Sequence, residues 1–297
     1  MIANEATTPA DIEQAARAVR AQRPAYTDIV AYYEQLFAAQ EASMAHIQVP
    51  PYRLDPDTLG IKQRDHFPLL SVTDFVIDQQ AAAGLLAQLC RVTSRAQSEL
   101  ATTAQAVSAA MRSDQFDVRP LFAALLAGDD DIFVKAAENL TADAQGLAFL
   151  VYSAMKPSLV AGARQLAAHL NDVVWNKGYC PICGSYPGVA LLGTDGERWL
   201  CCGFCWHKWS VSRIFCSFCE NTDSQTLSYY FSEDEKGYRV DVCDKCRKYI
   251  KTVDTRVAAH PIYPPLEQVS TLHLDMLAKE KGLESGLTLT FKSHNPQ

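Results

Sequence analysis

Apolar residues recur at three- and four-residue steps through the first half of the chain and in short alternating runs through the second. Between Ala25 and Met44, the residues Ile29, Tyr33, Leu36 and Phe37 form the stripe of an amphipathic helix that buries one face. The same period predicts helices over 73–89, 93–113, 119–126 and 130–139, then a long one from Thr141 toward Asn171. Thr8 followed by Pro9 marks one helix start, Asp74 before Phe75 another, and Thr141 the opening of the long helix. Pro157 lies inside that helix and is expected to kink or divide it near Met155. The stretch from Pro50 to Pro68, with Pro51, Pro56 and Gly60, breaks the period and reads as a long ordered loop.

After Gly178 the period changes to that of strands. Val189 to Leu192 and Glu197 to Cys201 can pair across Gly193-Thr194-Asp195-Gly196. Thr226 to Phe231 and Tyr238 to Val242 can pair across the charged loop Glu233 to Gly237. A helical stretch returns from Pro261 to Gly282, and the tail to Gln297 is expected to be loosely held.

Composition changes this picture at one place. Of 10 cysteines, nine fall between Cys180 and Cys246, eight of them as the pairs Cys180/Cys183, Cys202/Cys205, Cys216/Cys219 and Cys243/Cys246. Two residues between thiols allow one tight turn to aim both sulfurs inward, which is half of a tetrahedral site. The 18 residues from Cys183 to Cys202 and the 23 from Cys219 to Cys243 each contain one predicted hairpin, which brings two such turns together. The pairing is therefore 180/183 with 202/205, and 216/219 with 243/246. A crossed arrangement, joining 202/205 to 216/219 across 10 residues, stays open. Dithiol redox centres would need a low-pKa thiol at a helix start, whereas these pairs sit on turns between strands. Tetrahedral sulfur ligation suits zinc and iron alike, and the turn Cys180-Pro181-Ile182-Cys183-Gly184 fits a rubredoxin or a zinc knuckle.

The expected fold is α plus small β. An all-helical domain over 1–175 precedes two tandem rubredoxin-like or zinc-ribbon domains, 176–213 and 214–260, and a C-terminal helix and tail, 261–297. Hydrophobic residues make up 48% of the chain and charged residues 21%, which is globular composition. Acidic Glu5, Asp11 and Glu13 stand where an export signal would be basic and then apolar. The longest uninterrupted apolar run, Leu147 to Tyr152, is short of a membrane span. A cytoplasmic protein is the expectation, and there clustered thiols are metal ligands more often than disulfides. The net charge is −7, but residues 176–256 carry 11 Lys/Arg and 10 Asp/Glu, a balance unlike the basic footprint of a nucleic-acid reader.

The remaining residues of interest lie beside the cysteines. Cys201 adjoins Cys202 and should face away from its neighbour's metal, with ligation or redox chemistry as alternatives. Cys90, among Leu85, Leu86 and Leu89, reads as core. Trp209 reads as packing at the short junction between the two sites, and His207 as a solvated strand residue or a fifth donor. Arg213 is either a donor to knuckle carbonyls or an anchor for a carboxylate or other anion. Tyr249 and Lys251, alternating with Ile250, read as the wet face of a strand or as part of a partner-binding patch.

These residues together resemble the formate dehydrogenase accessory protein family, FdhE. The carrying elements are Gly178-Tyr179-Cys180-Pro181-x-Cys183-Gly184-Ser185-x-Pro187 and Leu200-x-Cys202-x-x-Cys205-x-x-x-Trp209-x-x-x-Arg213-x-x-Cys216-x-x-Cys219. They continue with Tyr238-x-Val240-x-Val242-Cys243-x-x-Cys246-x-x-Tyr249-x-Lys251 and Leu272-x-Leu274-Asp275-x-x-Ala278. The resemblance implies a helical domain followed by two rubredoxin-like domains, each with a four-cysteine iron site. It implies a cytoplasmic, non-catalytic factor that engages the catalytic subunit of respiratory formate dehydrogenase before export and is required for active enzyme. Trp209, Arg213, Tyr249 and Lys251 are the candidate partner-binding residues. Cys201 stands where members of the family usually carry another residue.

Two other functions fit parts of the pattern. A rubredoxin-like electron-transfer or thiol redox protein would use the same sulfur sites with turnover. A zinc-ribbon nucleic-acid binder would share the ribbons but needs more positive charge. No open catalytic metal position, P-loop or dinucleotide motif is present in the sequence, so no enzyme is expected. No nucleic acid and no membrane insertion are expected among its partners, and a homodimer is left open.

Overall fold

Several helices in this protein begin where a side chain satisfies a free amide of the first turn. The computed structural model describes residues 8–96, 98–113, 116–171, 173–258 and 260–287. Helix α1 (Pro9–Gln22) opens on Thr8, whose hydroxyl accepts from Asp11 N while the Asp11 carboxylate accepts from Thr8 N. The other helices are α2 (Thr27–Ser43), α3 (Pro56–Asp65), α4 (Gln79–Thr93), α5 (Glu99–Arg112), α6 (Arg119–Ala127), α7 (Asp130–Leu140), α8 (Ala144–Ala167), α9 (Pro264–Val269) and α10 (Leu272–Glu280). The strands are β1 (Pro187–Leu192), β2 (Arg198–Cys202), β3 (Lys208–Val211), β4 (Leu227–Phe231), β5 (Tyr238–Cys243), β6 (Lys248–Asp254) and β7 (Glu284–Ser285). The expected fold class, helices first and then a small sheet, is the one found. The expected tail beyond residue 287 lies outside the described residues.

Several boundaries differ from the sequence expectation because a neighbouring carboxylate caps better. The expected loop at 50–68 contains α3, which starts at Asp55-Pro56 with the Asp55 carboxylate accepting from Thr58 N at 2.9 Å. Asp74 does not open a helix; Asp78 does, accepting from Ala81 N at 3.0 Å. Thr141 is in the left-handed conformation that ends α7, and Asp143, accepting from Gly146 N at 2.6 Å, opens α8. Pro157 does not divide α8, which runs through it. Proline removes the amide that would reach the Ser153 carbonyl, and the buried Gln40 side chain supplies a replacement donor at 2.7 Å. The stretch Ala144–Leu170 is long and apolar enough, by length and composition, to cross a membrane, with 78% of its most apolar window buried inside the protein. Counting uninterrupted apolar residues missed this, since Ser153, Lys156 and Ser158 break the run while remaining buried.

By backbone contacts the chain divides into two units that do not follow the linear order. One comprises 31–51 and 71–162, where α4 packs with α5, α6 packs with α7, and Leu86, Leu89, Cys90, Phe122, Leu147 and Met155 are buried. The other comprises 1–30, 52–70 and 163–288, so α1 and α3 belong with the cysteine-bearing half.

In that second unit the two hairpins share one seven-stranded sheet in the order β3-β2-β1-β6-β5-β4, with β7 beside β6. The joint is a parallel pairing of β1 with β6, at Ala190 with Thr252 and Leu191 with Val253. Parallel strands need a long crossover, which the intervening second hairpin provides. One face of the sheet carries Val189, Leu191, Cys201, Val240, Val242 and Val253, packed against Leu274 and Ala278 of α10. β6 is therefore interior and largely buried, not a strand with one wet face.

Candidate metal centres

Each Cys-x-x-Cys pair is a tight turn that leaves by the same backbone twist. Immediately after the second cysteine comes a residue with positive φ: Gly184 at 75°, Trp206 at 61°, Glu220 at 58° and Arg247 at 58°. This twist lets the amide of that residue return to the first cysteine's carbonyl, as in Gly184 N to Cys180 O, Glu220 N to Cys216 O and Arg247 N to Cys243 O, at 2.9–3.0 Å. Only one of the four is glycine, so three turns hold a side chain in a conformation that costs about 1 kcal/mol or more.

The turns meet in the uncrossed pairing. Cys180, Cys183, Cys202 and Cys205 form one group, and Cys216, Cys219, Cys243 and Cys246 the other. Sulfur–sulfur distances are 3.7 Å for Cys180–Cys205, 3.5 Å for Cys183–Cys202, and 3.6 Å for both Cys216–Cys246 and Cys219–Cys243. A disulfide needs about 2.05 Å. A tetrahedral ion with metal–sulfur bonds of about 2.3 Å has sulfurs about 3.8 Å apart, so both groups fit a divalent or trivalent ion with four thiolates. Amides also point at the sulfurs: Phe204 N and Cys205 N lie 3.3 and 3.4 Å from Cys202 Sγ, and Phe218 N lies 3.5 Å from Cys216 Sγ. Both groups can hold a metal ion.

The thiols are poised unequally. Burial pushes the Cys180 and Cys205 thiols well up, while burial at Cys183 is overcome by hydrogen bonds from Cys180, Cys202 and Cys205, which hold it well below the ordinary range. At Cys243 the opposition of burial is outweighed by the Cys246 amide and neighbouring thiols, bringing it down to about 7. Four adjacent thiols cannot all ionise unaided, and a bound cation replaces the shared protons.

The two centres differ in cover. All four sulfur residues of the first are buried, whereas Cys219 is exposed and Cys246 half-buried in the second. The segment after α3 accounts for the cover: Leu69 N and Leu70 N donate to Pro181 O and Ile182 O at 2.9 and 2.8 Å, and Tyr179 Oη donates to His66 O. The centres are also tied to each other. Lys177 pairs with Glu220 at 3.1 Å, and a Cβ on Gly178 would lie 2.1 Å from the Ser217 carbonyl oxygen of the second site's first turn. Gly178→Ala must displace rigid backbone, so it is expected to cost about 1–3 kcal/mol. At about 2–4 °C per kcal/mol, that is a visible fall in the thermal midpoint followed by circular dichroism.

The other residues singled out from sequence fall differently. Cys201 lies in the sheet core and is not a member of either sulfur group, and Cys90 is buried with its thiol pushed up to about 12 by burial. His207 is half-buried; burial drives its imidazole down to about 4, and it joins neither group. Trp209 is buried, with Nε1 donating to Lys177 O at 3.1 Å. Tyr249 and Lys251 are buried and committed to Asp275, Tyr249 Oη at 2.9 Å from Oδ1 and Lys251 Nζ at 2.6 Å from Oδ2. A partner cannot reach these three without opening the fold, which corrects their place in a partner-binding patch. Of the four, only Arg213 is exposed. The donor to a knuckle carbonyl is Arg198, with Nη1 2.6 Å from Phe215 O, a residue the sequence reading missed. Its strand position among apolar neighbours was the available signal, since a buried arginine needs fixed acceptors.

Comparison with known proteins agrees with these motifs. Residues 214–289 match the FdhE C-terminal domain. The Aquifex aeolicus FdhE homologue is 32% identical over 140 residues, 46% of this chain and 48% of that protein. Escherichia coli FdhE is 32% identical over 112 residues, 35% of this chain and 34% of that protein. The chain thus spans about half or less of the curated relatives it matches. The crystal structure of FdhE from Pseudomonas aeruginosa superposes with a TM-score of 0.67 over 95% of both chains at 20% identity, which is a likeness of fold. Residues 214–289 thus match the FdhE C-terminal domain, and this chain is similar in sequence to FdhE proteins over part of its length and in fold over nearly all of it.

Proposed function

We propose that this protein is a cytoplasmic maturation factor for formate dehydrogenase, holding the catalytic subunit before export, with iron in both four-cysteine centres. The observation that carries the reading is the FdhE C-terminal domain, which contains the whole second centre. Its chemistry is consistent with a factor that does not turn over substrate, because four sulfurs saturate a tetrahedral ion and leave no open position. A surface for a client is available on β4, an edge strand, where Tyr229, Tyr230 and Phe231 are exposed in succession. Edge strands with unpaired backbone groups and exposed aromatics are suited to capturing polypeptide.

The test is anaerobic co-purification of the formate dehydrogenase catalytic subunit with the tagged protein. Tyr230→Ser combined with Phe231→Ser is expected to reduce capture at least tenfold while metal content stays at two per chain. Absence of capture by the unaltered protein overturns the role, and full capture by the variant overturns the surface. A rubredoxin-like redox role is a second reading, favoured by the exposure of Cys219 at the second centre. Reversible bleaching of visible absorption with turnover of an electron acceptor would establish it over the first.

A further inference from the structure

Beside the second centre lies a recess of about 280 Å³ with an unusual charge balance. Its walls include Arg198, Arg213, Arg239 and Lys248 but a single carboxylate, Asp241. That carboxylate is already shared: Arg239 Nε lies 2.7 Å from Oδ1, Arg198 Nη2 lies 3.3 Å from Oδ2, and Thr252 Oγ1 donates to Oδ2 at 2.7 Å. Among the described residues, Arg213 and Lys248 have no acidic partner. Arg198 is only 3% exposed, and its Nε is buried without a hydrogen-bond partner. A buried guanidinium nitrogen with no acceptor costs free energy that a ligand oxygen would recover. The rest of the wall mixes apolar Phe218, Leu227, Tyr229 and Ile250 with Ser217, Ser224 and Ser228 and two ligands of the second centre, Cys216 and Cys243.

We propose that this recess binds an oxyanion, a carboxylate or a phosphate, carried on a flat apolar body. Arg213 and Lys248 receive the charge at the mouth, Arg198 offers a fixed donor in the wall, and the aromatic side chains hold the body. Guanidinium groups match the two oxygens of such an anion in a planar fork, which suits them to this role over a point charge alone. The four thiolates nearby oppose an anion once they carry a divalent ion, so the excess of cations in the recess is what makes binding feasible. The recess shares Tyr229 with the proposed client strand, but anion binding is measurable without formate dehydrogenase and the capture variant leaves Tyr229 in place, so either can fail alone.

The test is titration of benzoate, phenyl phosphate and neutral benzyl alcohol into full-length, metal-loaded protein, followed by ligand-observed NMR. At least one of the two anions is expected to bind tenfold or more tightly than the alcohol, with affinity falling as salt rises. Tighter binding of benzoate assigns the site to carboxylates and tighter binding of phenyl phosphate to phosphates; either result supports the proposal. Arg213→Glu, on an exposed side chain, is expected to lower anion affinity at least tenfold with metal content and far-ultraviolet circular dichroism unchanged. Lys248→Ala provides a second variant with an effect in the same direction. Equal affinity for the alcohol overturns the proposal. So does loss of metal in these variants with anion affinity retained, which would mean that the cations only offset the sulfur charge.

Discussion

Cys180→Ser is expected to lower the metal content from two ions to one per chain and to unfold the adjacent hairpin of β1 and β2. A structural four-sulfur site contributes about 10 kcal/mol or more to folding, comparable to the whole stability of a domain, about 5–15 kcal/mol. Cys180 is fully buried, its turn is bonded to residues 69 and 70, and the sheet begins at Pro187 immediately after it. Without the ion, three thiols and their shared protons remain in a site that water cannot enter. Cys216→Ser is expected to remove one ion as well, but with a milder structural loss. Its centre is open at Cys219, and β5 remains paired to the buried β6. Metal analysis and thermal unfolding of the two variants check both statements. Unchanged metal content in either variant would sink the ligand assignment.

Asp275→Ala is the second large effect, with an expected cost of about 3 kcal/mol. Lys251 is 6% exposed, and its ammonium has three acceptors: Asp275 Oδ2 and Gln268 O, both at 2.6 Å, and Thr271 O at 3.5 Å. Burial lowers the Lys251 pKa, and the nearby Asp275 carboxylate opposes that shift. Removing the carboxylate leaves a buried charge facing carbonyl dipoles alone, the situation that costs about 3–5 kcal/mol. Asp275 is itself partly exposed, which places the effect at the lower end, and Tyr249 loses its acceptor too. At about 2–4 °C per kcal/mol the thermal midpoint should fall by about 6–12 °C. The double variant Lys251→Met with Asp275→Leu should recover much of this, since replacing a buried pair by apolar residues is often neutral. An unchanged midpoint for Asp275→Ala would show that the pair does not hold α10 to the sheet.

Much of the metal chemistry was legible in the sequence because it is local. Two cysteines separated by two residues favour a tight turn, and the hairpins between the pairs pointed to the uncrossed meeting that the structure shows while leaving the crossed one open. Helices were legible where the apolar stripe was long, as in α2, and misplaced where two carboxylates competed to cap the start, as Asp74 did with Asp78. The passage of α8 through Pro157 depends on Gln40, 113 residues from the Ser153 carbonyl it serves. No window of sequence contains that partnership.

The residues read as a partner patch show the same boundary. Tyr249, Lys251 and Asp275 each stood in the quoted motifs, yet the alternation of Tyr249 and Lys251 with Ile250 suggested a wet face or a partner patch. Alternation distinguishes two faces of a strand but does not say whether both are covered. Here α10 closes over one face, and the parallel joint to β1 makes β6 interior.

The sequence by itself determined the four cysteine pairs, the change from helix to hairpin near residue 176, the extra cysteine and the family likeness. All follow from spacing and from chemistry that few residue types possess. Only the tertiary structure decided that the two ribbons share one sheet and that the first centre is sealed while the second is open. It also decided that Lys251 faces a carboxylate instead of solvent, and that Arg213 borders a recess with an unpaired buried guanidinium nitrogen. Those outcomes depend on burial and on pairings between segments far apart in the chain, whose free energy exists only once the segments meet.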